Sequence, residues 1–240
     1  MRSRLFRFAA PSRFYRLAER LEPWLWAAAL AFAAAGLVMG LLVAPADAVQ
    51  GESSRILFIH VPAAWMSMLV YLAMAGWAAV GWWLNARMAS MLARALAPTG
   101  AAFTFIALVT GALWGRPTWG TWWVWDARLT SELILLFLYV GFIALAGAVE
   151  ERRRADAACA LLAVLGLVNI PVIYFSVRWW NTLHQGASIT LSAAPKMAHT
   201  MLAGLLLMTL AMWSYAVAMA LSRARCEVLE HEAGARWLKA

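Results

Sequence analysis

The sequence predicts an all-α integral membrane protein with six transmembrane helices and both termini in the cytoplasm. Three observations lead to this fold class: the composition, six long apolar segments, and the uneven distribution of basic residues. Hydrophobic residues make up 64% of the chain and charged residues only 13%. A soluble domain has about 25% charged residues, so this chain could not cover its apolar surface in water.

Six segments are long enough to cross the hydrocarbon core, which requires about 20 mainly apolar residues in a helix. They cover about residues 24–44, 57–84, 95–115, 132–149, 157–177 and 197–221, and we expect the whole chain, 1–240, to form a single membrane domain. They lack the two-residue alternation of a barrel strand, and unpaired backbone groups are not tolerated in lipid, so they should be helices. Residues 46–48 resemble a signal-peptidase site, but the apolar stretch before them is long enough to span. We therefore expect an uncleaved first helix.

The basic residues give the orientation. Fifteen of the 20 Lys and Arg lie in the N-terminal segment, the links 87–94 and 150–156, and the C-terminal tail. Basic links favour the cytoplasmic side of a membrane protein. Both termini are therefore expected in the cytoplasm, and the links 45–57, 115–131 and 178–196 on the opposite side of the membrane. This distribution also explains the net charge of +8 without a nucleic-acid partner.

The link between the third and fourth spans, 115–131, is unusually rich in tryptophan. Five indoles fall within 12 residues, at Trp114, Trp119, Trp122, Trp123 and Trp125. Interfacial tryptophans commonly form a belt at the headgroup level, but a belt uses scattered anchors. Because these rings are concentrated in one short segment, they favour a platform for a large, planar, apolar ligand.

Two charged residues follow the tryptophans. Arg128 is suited to a carboxylate at the edge of such a ligand, because its guanidinium can donate two parallel hydrogen bonds. Asp126 can make a polar contact there or act as the N-cap of the fourth helix, and Glu132 can stabilise the positive end of that helix. The helical role is favoured for both acids.

The chain has only four histidines. His60 begins the second span and His184 lies in the third link that faces away from the cytoplasm, so both are expected on the same membrane face. Neutral imidazole is a common axial ligand of heme iron, and the pair could hold a porphyrin from opposite sides. Each could instead be an ordinary hydrogen-bonded residue, and His199 is a substitute candidate. His231, in the C-terminal tail, is not expected in this site.

The two cysteines, Cys159 and Cys226, form neither a C-x-x-C pair nor the C-x-x-C-H motif of covalent heme attachment. A thioredoxin-like redox function and a c-type cytochrome are therefore not indicated.

Residues 119–131, Trp-Gly-Thr-Trp-Trp-Val-Trp-Asp-Ala-Arg-Leu-Thr-Ser, resemble the WWD signature of heme-handling proteins. With six spans, His60 before the signature and Trp-Trp-Asn-Thr-Leu-His-Gln-Gly at 179–186 after it, the chain resembles the cytochrome c maturation protein C family (CcmC, heme exporter protein C). The resemblance extends from about Trp24 to the sixth span. Relatives that carry the signature and act as heme lyase have more spans than this chain can hold.

This resemblance implies a binding protein for heme b that presents its transient cargo at the periplasmic face and is not itself an enzyme. The implied partners are a membrane-anchored periplasmic heme chaperone, the subunits of an ABC transporter complex and a small single-span subunit. By matching position, the implied iron ligands are His60 and His184. The five indoles and Asp126 complete the platform, and Arg128 is a candidate contact for a propionate or for the chaperone.

Three other functions remain open from the sequence. A subunit that itself forms a heme translocation path should carry polar groups near the midplane of the membrane, where the spans offer little beyond Asn169 and Pro171. A redox protein should place two histidine ligands inside the helical bundle. A purely structural scaffold for the transporter would explain the helices but not the tryptophan-rich link.

Overall fold

The computed structural model describes residues 10–184, 186, 189, 194–195, 197–232, 234 and 237. Within them the chain is helical and contains no strand. The helices are α1 (Pro11–Val38), α2 (Leu57–Leu84), α3 (Arg87–Trp119), α4 (Ala127–Ala148), α5 (Arg152–Gly166), α6 (Asn169–Trp179) and α7 (His199–His231). A π-helical turn, Met39–Val43, extends α1, and a 3-10 turn, Glu52–Ile56, precedes α2.

Six helical segments in the described ranges are long and apolar enough to cross a membrane, with α5 and α6 acting together as the fifth. The predicted fold class is confirmed, and the chain is a multi-pass membrane protein. Several of the residues that predict its orientation, including Arg2, Arg4, Arg7, Lys196 and Lys239, lie outside the described residues. The cytoplasmic placement of the termini therefore stays a prediction.

Helices α2, α3, α4 and α5 pack around a core in which large side chains of one helix contact small residues of the next. Tyr71 and Tyr139 meet edge to face, with ring centroids 5.1 Å apart. Each tyrosine lies directly over a glycine of a neighbouring helix: a Cβ on Gly100 would lie 2.1 Å from the Tyr139 ring, and one on Gly166 would lie 2.0 Å from the Tyr71 hydroxyl. Close helix packing of this kind is typical of membrane bundles, where small residues let backbones approach.

Helix α1 begins earlier than the apolar segment predicts, at Pro11 instead of Trp24. Its first turns are polar and pack against the end of α7, where Arg225 pairs with Glu22 and Glu19. At its other end, Arg55 donates to the carbonyls of Gly40 and Ala44, at 2.8 and 3.2 Å. This arginine satisfies carbonyl groups that the π-helical turn leaves without helical partners.

The tryptophan-rich link is shorter than expected, because helices extend into it from both sides. Helix α3 continues to Trp119 and ends where Gly120 adopts the left-handed conformation, with φ 78° and its N–H bonded to the Arg116 carbonyl. Glycine is favoured at that position because it has no Cβ. Helix α4 already begins at Ala127. Only residues 120–126 are non-helical, and we call this the Trp loop.

Candidate functional site

His60 is half-buried on the first turn of α2 and faces the last part of α3. Its Nδ1 lies 3.1 Å from the hydroxyl of Thr110, and its ring meets the Trp114 indole edge to face at a centroid distance of 5.7 Å. Gly111 makes this approach possible, because a Cβ there would lie 3.0 Å from the imidazole Cε1. A partner on Nδ1 fixes the ring orientation and leaves Nε2 as the coordinating nitrogen.

His184 lies on the segment after α6, with 16% of its side chain exposed. Its ring lies against the Trp119 indole, with the centroids 4.8 Å apart. The backbone N–H of His184 donates to the Thr182 hydroxyl at 3.2 Å. Its Nδ1 is buried and, among the described residues, has no hydrogen-bond partner. A buried ring nitrogen without a hydrogen bond is costly, so this nitrogen is left unsatisfied by the described residues.

Asp126 joins the segment of His184 to the start of α4. Its Oδ1 accepts a hydrogen bond of 2.8 Å from the N–H of Leu129, which confirms the predicted N-cap. Its Oδ2 accepts from the Thr182 hydroxyl and lies 3.8 Å from His184 Nδ1. That last distance is too long for a hydrogen bond, so the carboxylate acts on the imidazole through its charge.

The two histidines therefore contact the same helix end. Trp114 and Trp119 are five residues apart on α3, which corresponds to about 7.5 Å along the helix axis. Trp114 carries His60 on one side, and its indole Nε1 donates to the Gln50 side chain at 3.1 Å. Trp119 carries His184. The predicted pairing of both histidines with the tryptophan cluster is present in the structure, whereas their role as iron ligands stays a prediction.

The remaining tryptophans divide into an inner and an outer group. Trp123 is partly buried, its ring packs edge to face on Trp125, and its Nε1 is buried without a partner among the described residues. Trp122 and Trp125 are 54% and 77% exposed. The Trp loop thus presents two indoles outward, at the end of the bundle where the two histidines lie.

Arg128 does not face outward as a free side chain. It is half-buried, and its Nη1 donates to the carbonyl of Ile173 on α6 at 2.6 Å. The guanidinium has five N–H donors, so other donors remain for an anionic partner. Glu132 lies deeper than the helix-end position expected for it: it is 6% exposed and accepts from Ser67 on α2 at 2.7 Å.

The surroundings of His184 favour the neutral form of its imidazole. Burial, and next the nearby positive charge of Arg128, lower the pKa of His184 to about 4, although Asp126 acts in the opposite direction. At neutral pH the ring is uncharged, which is the form that binds a metal. In the described part of the chain no group of three or more His, Cys, Asp or Glu could hold a metal ion.

The sequence analysis did not predict three side-chain contacts of the site. Thr110 contacts His60, Gln50 accepts from Trp114, and Thr182 lies between Asp126 and His184. Thr110 could have been found, since it precedes Trp114 by four residues on the same face of α3. The other two depend on how separate links approach one another. Beside them, Phe175 and Trp179 stack at 5.1 Å on α6 and add aromatic surface at this end.

Comparison with known proteins gives a consistent result. Residues 4–239 match the family model described as heme exporter protein C. The chain is 53% identical over 184 residues to heme exporter protein C of Escherichia coli strain K12, covering 77% of this chain and 75% of that protein. It is 46% identical over 233 residues to heme exporter protein C of Haemophilus influenzae, covering 97% and 95%. It is also 44% identical over 176 residues to a ccmC-like mitochondrial protein of cytochrome c biosynthesis from Marchantia polymorpha, covering 73% of each chain.

Proposed function

This chain belongs to the heme exporter protein C family, and from that membership we propose that it binds heme b and presents it to a periplasmic heme chaperone during c-type cytochrome maturation. The active face is the end of the bundle that carries the Trp loop, on the periplasmic side of the bacterial inner membrane. One observation supports this site above the others. His60 and His184 both pack on the last turns of α3, each against an indole.

Each side chain has a distinct role in the proposal. The imidazoles of His60 and His184 coordinate the iron, with Thr110 orienting the His60 ring and Trp119 packing against the His184 ring. Trp114, Trp119 and Trp123 cover part of the macrocycle, because flat apolar rings pack well against one another.

At the outer edge, the exposed indoles of Trp122 and Trp125 are available to the incoming chaperone. Arg128 offers its remaining donors to a propionate.

The protein acts by binding and handover, without turnover of its own. Heme must leave for the chaperone, so its ligands must be replaceable. His60 belongs to a helix, whereas His184 is held by a short segment through Thr182 and Trp119. The proposed partners are the heme chaperone, the subunits of an ABC transporter and a small single-span subunit.

A test is the visible absorption spectrum of the full-length protein in mild detergent, purified and then loaded with heme. We expect a Soret band and low-spin reduced bands in the parent, and a weakened or shifted spectrum in His60→Ala and in His184→Ala. His231→Ala is the matched control, because His231 ends α7 and therefore lies at the end of the bundle away from the Trp loop. Unchanged spectra in both site variants would reject these ligands, and a shift in His199→Ala alone would transfer the role to that residue.

The alternative function, a subunit that itself forms a translocation path, has one observation in its favour. Glu132 is a buried acid inside the bundle whose Oε2 has no partner among the described residues. In that case Glu132→Gln should reduce heme delivery to the chaperone from the membrane while leaving binding of added heme unchanged. Under the presentation function both measurements should stay at the parent level.

A further inference from the structure

A cleft in the described residues lies at the end of the bundle opposite the Trp loop. Its volume is about 610 Å³, within the range of about 300–1,000 Å³ typical of small-molecule sites. It lies between the α2–α3 turn, the start of α5 and the end of α7. The side chains that matter here are Trp82, Arg87, Arg152, Arg153 and His231.

Three arginines line this cleft, and their charges are only partly neutralised. Arg87 has its nearest carboxylate, Glu232, at 3.9 Å, and Arg152 has Glu227 at 3.5 Å. Within the described ranges, Arg153 has no carboxylate within 4.0 Å.

Asp156, the one acid among the described residues that line the cleft, adds little negative charge. Arg94 behind it donates to Asp156 through two nitrogens, at 2.6 and 3.0 Å. The cleft therefore has an excess of positive charge.

Two helix starts add to this positive character. Helices α3 and α5 begin at Arg87 and Arg152, and neither has a side-chain cap or an acid in its first turn. The N-terminus of a helix carries free N–H groups and the positive end of the helix dipole, and normally attracts an anion or an acidic residue. Here Arg87 and Arg152 occupy the first helical positions. Glu151 precedes α5 but makes no cap hydrogen bond and pairs with Arg154, so a bound anion would satisfy both helix ends together with the arginines.

The surroundings of the cleft indicate what carries the anion. Trp82, on its wall, and Trp83 beside it are 52% and 87% exposed at the end of a membrane-spanning helix. Exposed indoles in that position are typical of the headgroup level of a bilayer. An arginine-lined pocket between membrane helices at this level matches a lipid phosphate better than a water-soluble anion. We propose that this cleft binds the phosphate headgroup of an anionic phospholipid.

The proposal is tested by native mass spectrometry of the full-length protein in detergent with added phosphatidylglycerol or phosphatidylcholine of the same acyl chains. We expect the parent to retain phosphatidylglycerol preferentially. Arg87→Gln and Arg153→Gln should each lower that retention about fivefold, and the double variant more, since each basic residue near an anionic lipid contributes about that factor. Arg154→Gln is the matched control, because Arg154 is next in sequence but pairs with Glu151 and does not line the cleft.

Several outcomes would overturn the proposal. Equal retention of the two lipids, or an equal loss in Arg154→Gln, would show that the cleft does not select an anionic phospholipid. If inorganic phosphate at millimolar concentration displaces the lipid completely, the ligand is a soluble phosphate. Circular dichroism and gel filtration of each variant establish that a loss of lipid is not a loss of fold.

Discussion

Thr182 connects the two parts of the candidate site, because its hydroxyl donates to Asp126 Oδ2 and accepts the backbone N–H of His184. Asp126 at the same time caps α4 through Leu129. The start of α4 and the segment of His184 are thereby held together by one carboxylate and one hydroxyl. Substitutions at these two residues should separate helix stability from placement of the histidine.

We expect Thr182→Val to weaken heme binding with little effect on helix stability, because valine keeps the shape and removes both hydrogen bonds. Asp126→Ala should weaken binding and also cost about 1 kcal/mol of stability, the usual cost of losing an N-cap. Heme titration and thermal melting of the two single variants and the double variant measure the coupling energy between Asp126 and Thr182. Asp126→Asn, which keeps the cap, is the control, and independent effects of the two residues would contradict a shared role.

Gly111 should be sensitive to substitution because of its distance from His60. In Gly111→Ala the new Cβ would lie 3.0 Å from the imidazole Cε1, so the ring must move by a few tenths of an ångström or more. We expect a shifted Soret band and weaker heme binding, with unchanged helix content. Gly76→Ala, on the exposed side of α2 where nothing lies within 4 Å, is the matched control. The same spectrum in both variants would argue against His60 as a ligand.

The stability of the heme-free protein should depend on pH through His184. Its pKa is lowered to about 4 by burial, whereas an unfolded chain has the ordinary value near 6.5. Between these values the unfolded state binds more protons, so the free energy of unfolding falls as the pH is lowered from about 6.5 to about 4 and then levels off. Thermal melting across this window should show a smaller decrease in His184→Gln than in the parent. Parallel curves would show that the histidine does not titrate in this way.

Arg128 should serve both the fold and the ligand. Its hydrogen bond to the Ile173 carbonyl joins α4 to α6, and loss of a charged hydrogen bond costs about 1.5–3 kcal/mol, so Arg128→Gln should melt earlier. If its other donors hold a propionate, the parent should bind heme more tightly than heme dimethyl ester, and Arg128→Gln should bind the two equally. Arg116→Gln is the control, since that exposed arginine donates only to the Gly120 carbonyl among the described residues. A preference for heme that survives in Arg128→Gln would remove Arg128 as the propionate contact.

The sequence is sufficient to predict the six apolar helices and the N-cap at Asp126, because both depend on local pattern. It is not sufficient for the first turns of α1, which are polar and pack against α7, where Glu22 pairs with Arg225. The interruption of the fifth span at Leu167 and Val168 was also missed, although Gly166 at the end of α5 and Pro171 in the first turn of α6 are local signals for it. The contacts of His60 with Thr110 and Trp114 depend on how α2 packs on α3, which periodicity does not specify.

The different supports of the two histidines have a kinetic consequence. If the two histidines are the ligands, His60 is fixed on the first turn of α2 where it packs against α3, whereas His184 is held through the contacts of its short segment with Thr182 and Trp119. In the proposed handover, the incoming ligand should therefore exchange first on the side of His184, while His60 retains the cargo until the exchange is complete. Such an order would keep the porphyrin attached to one protein or the other at every moment and would prevent its escape into solution.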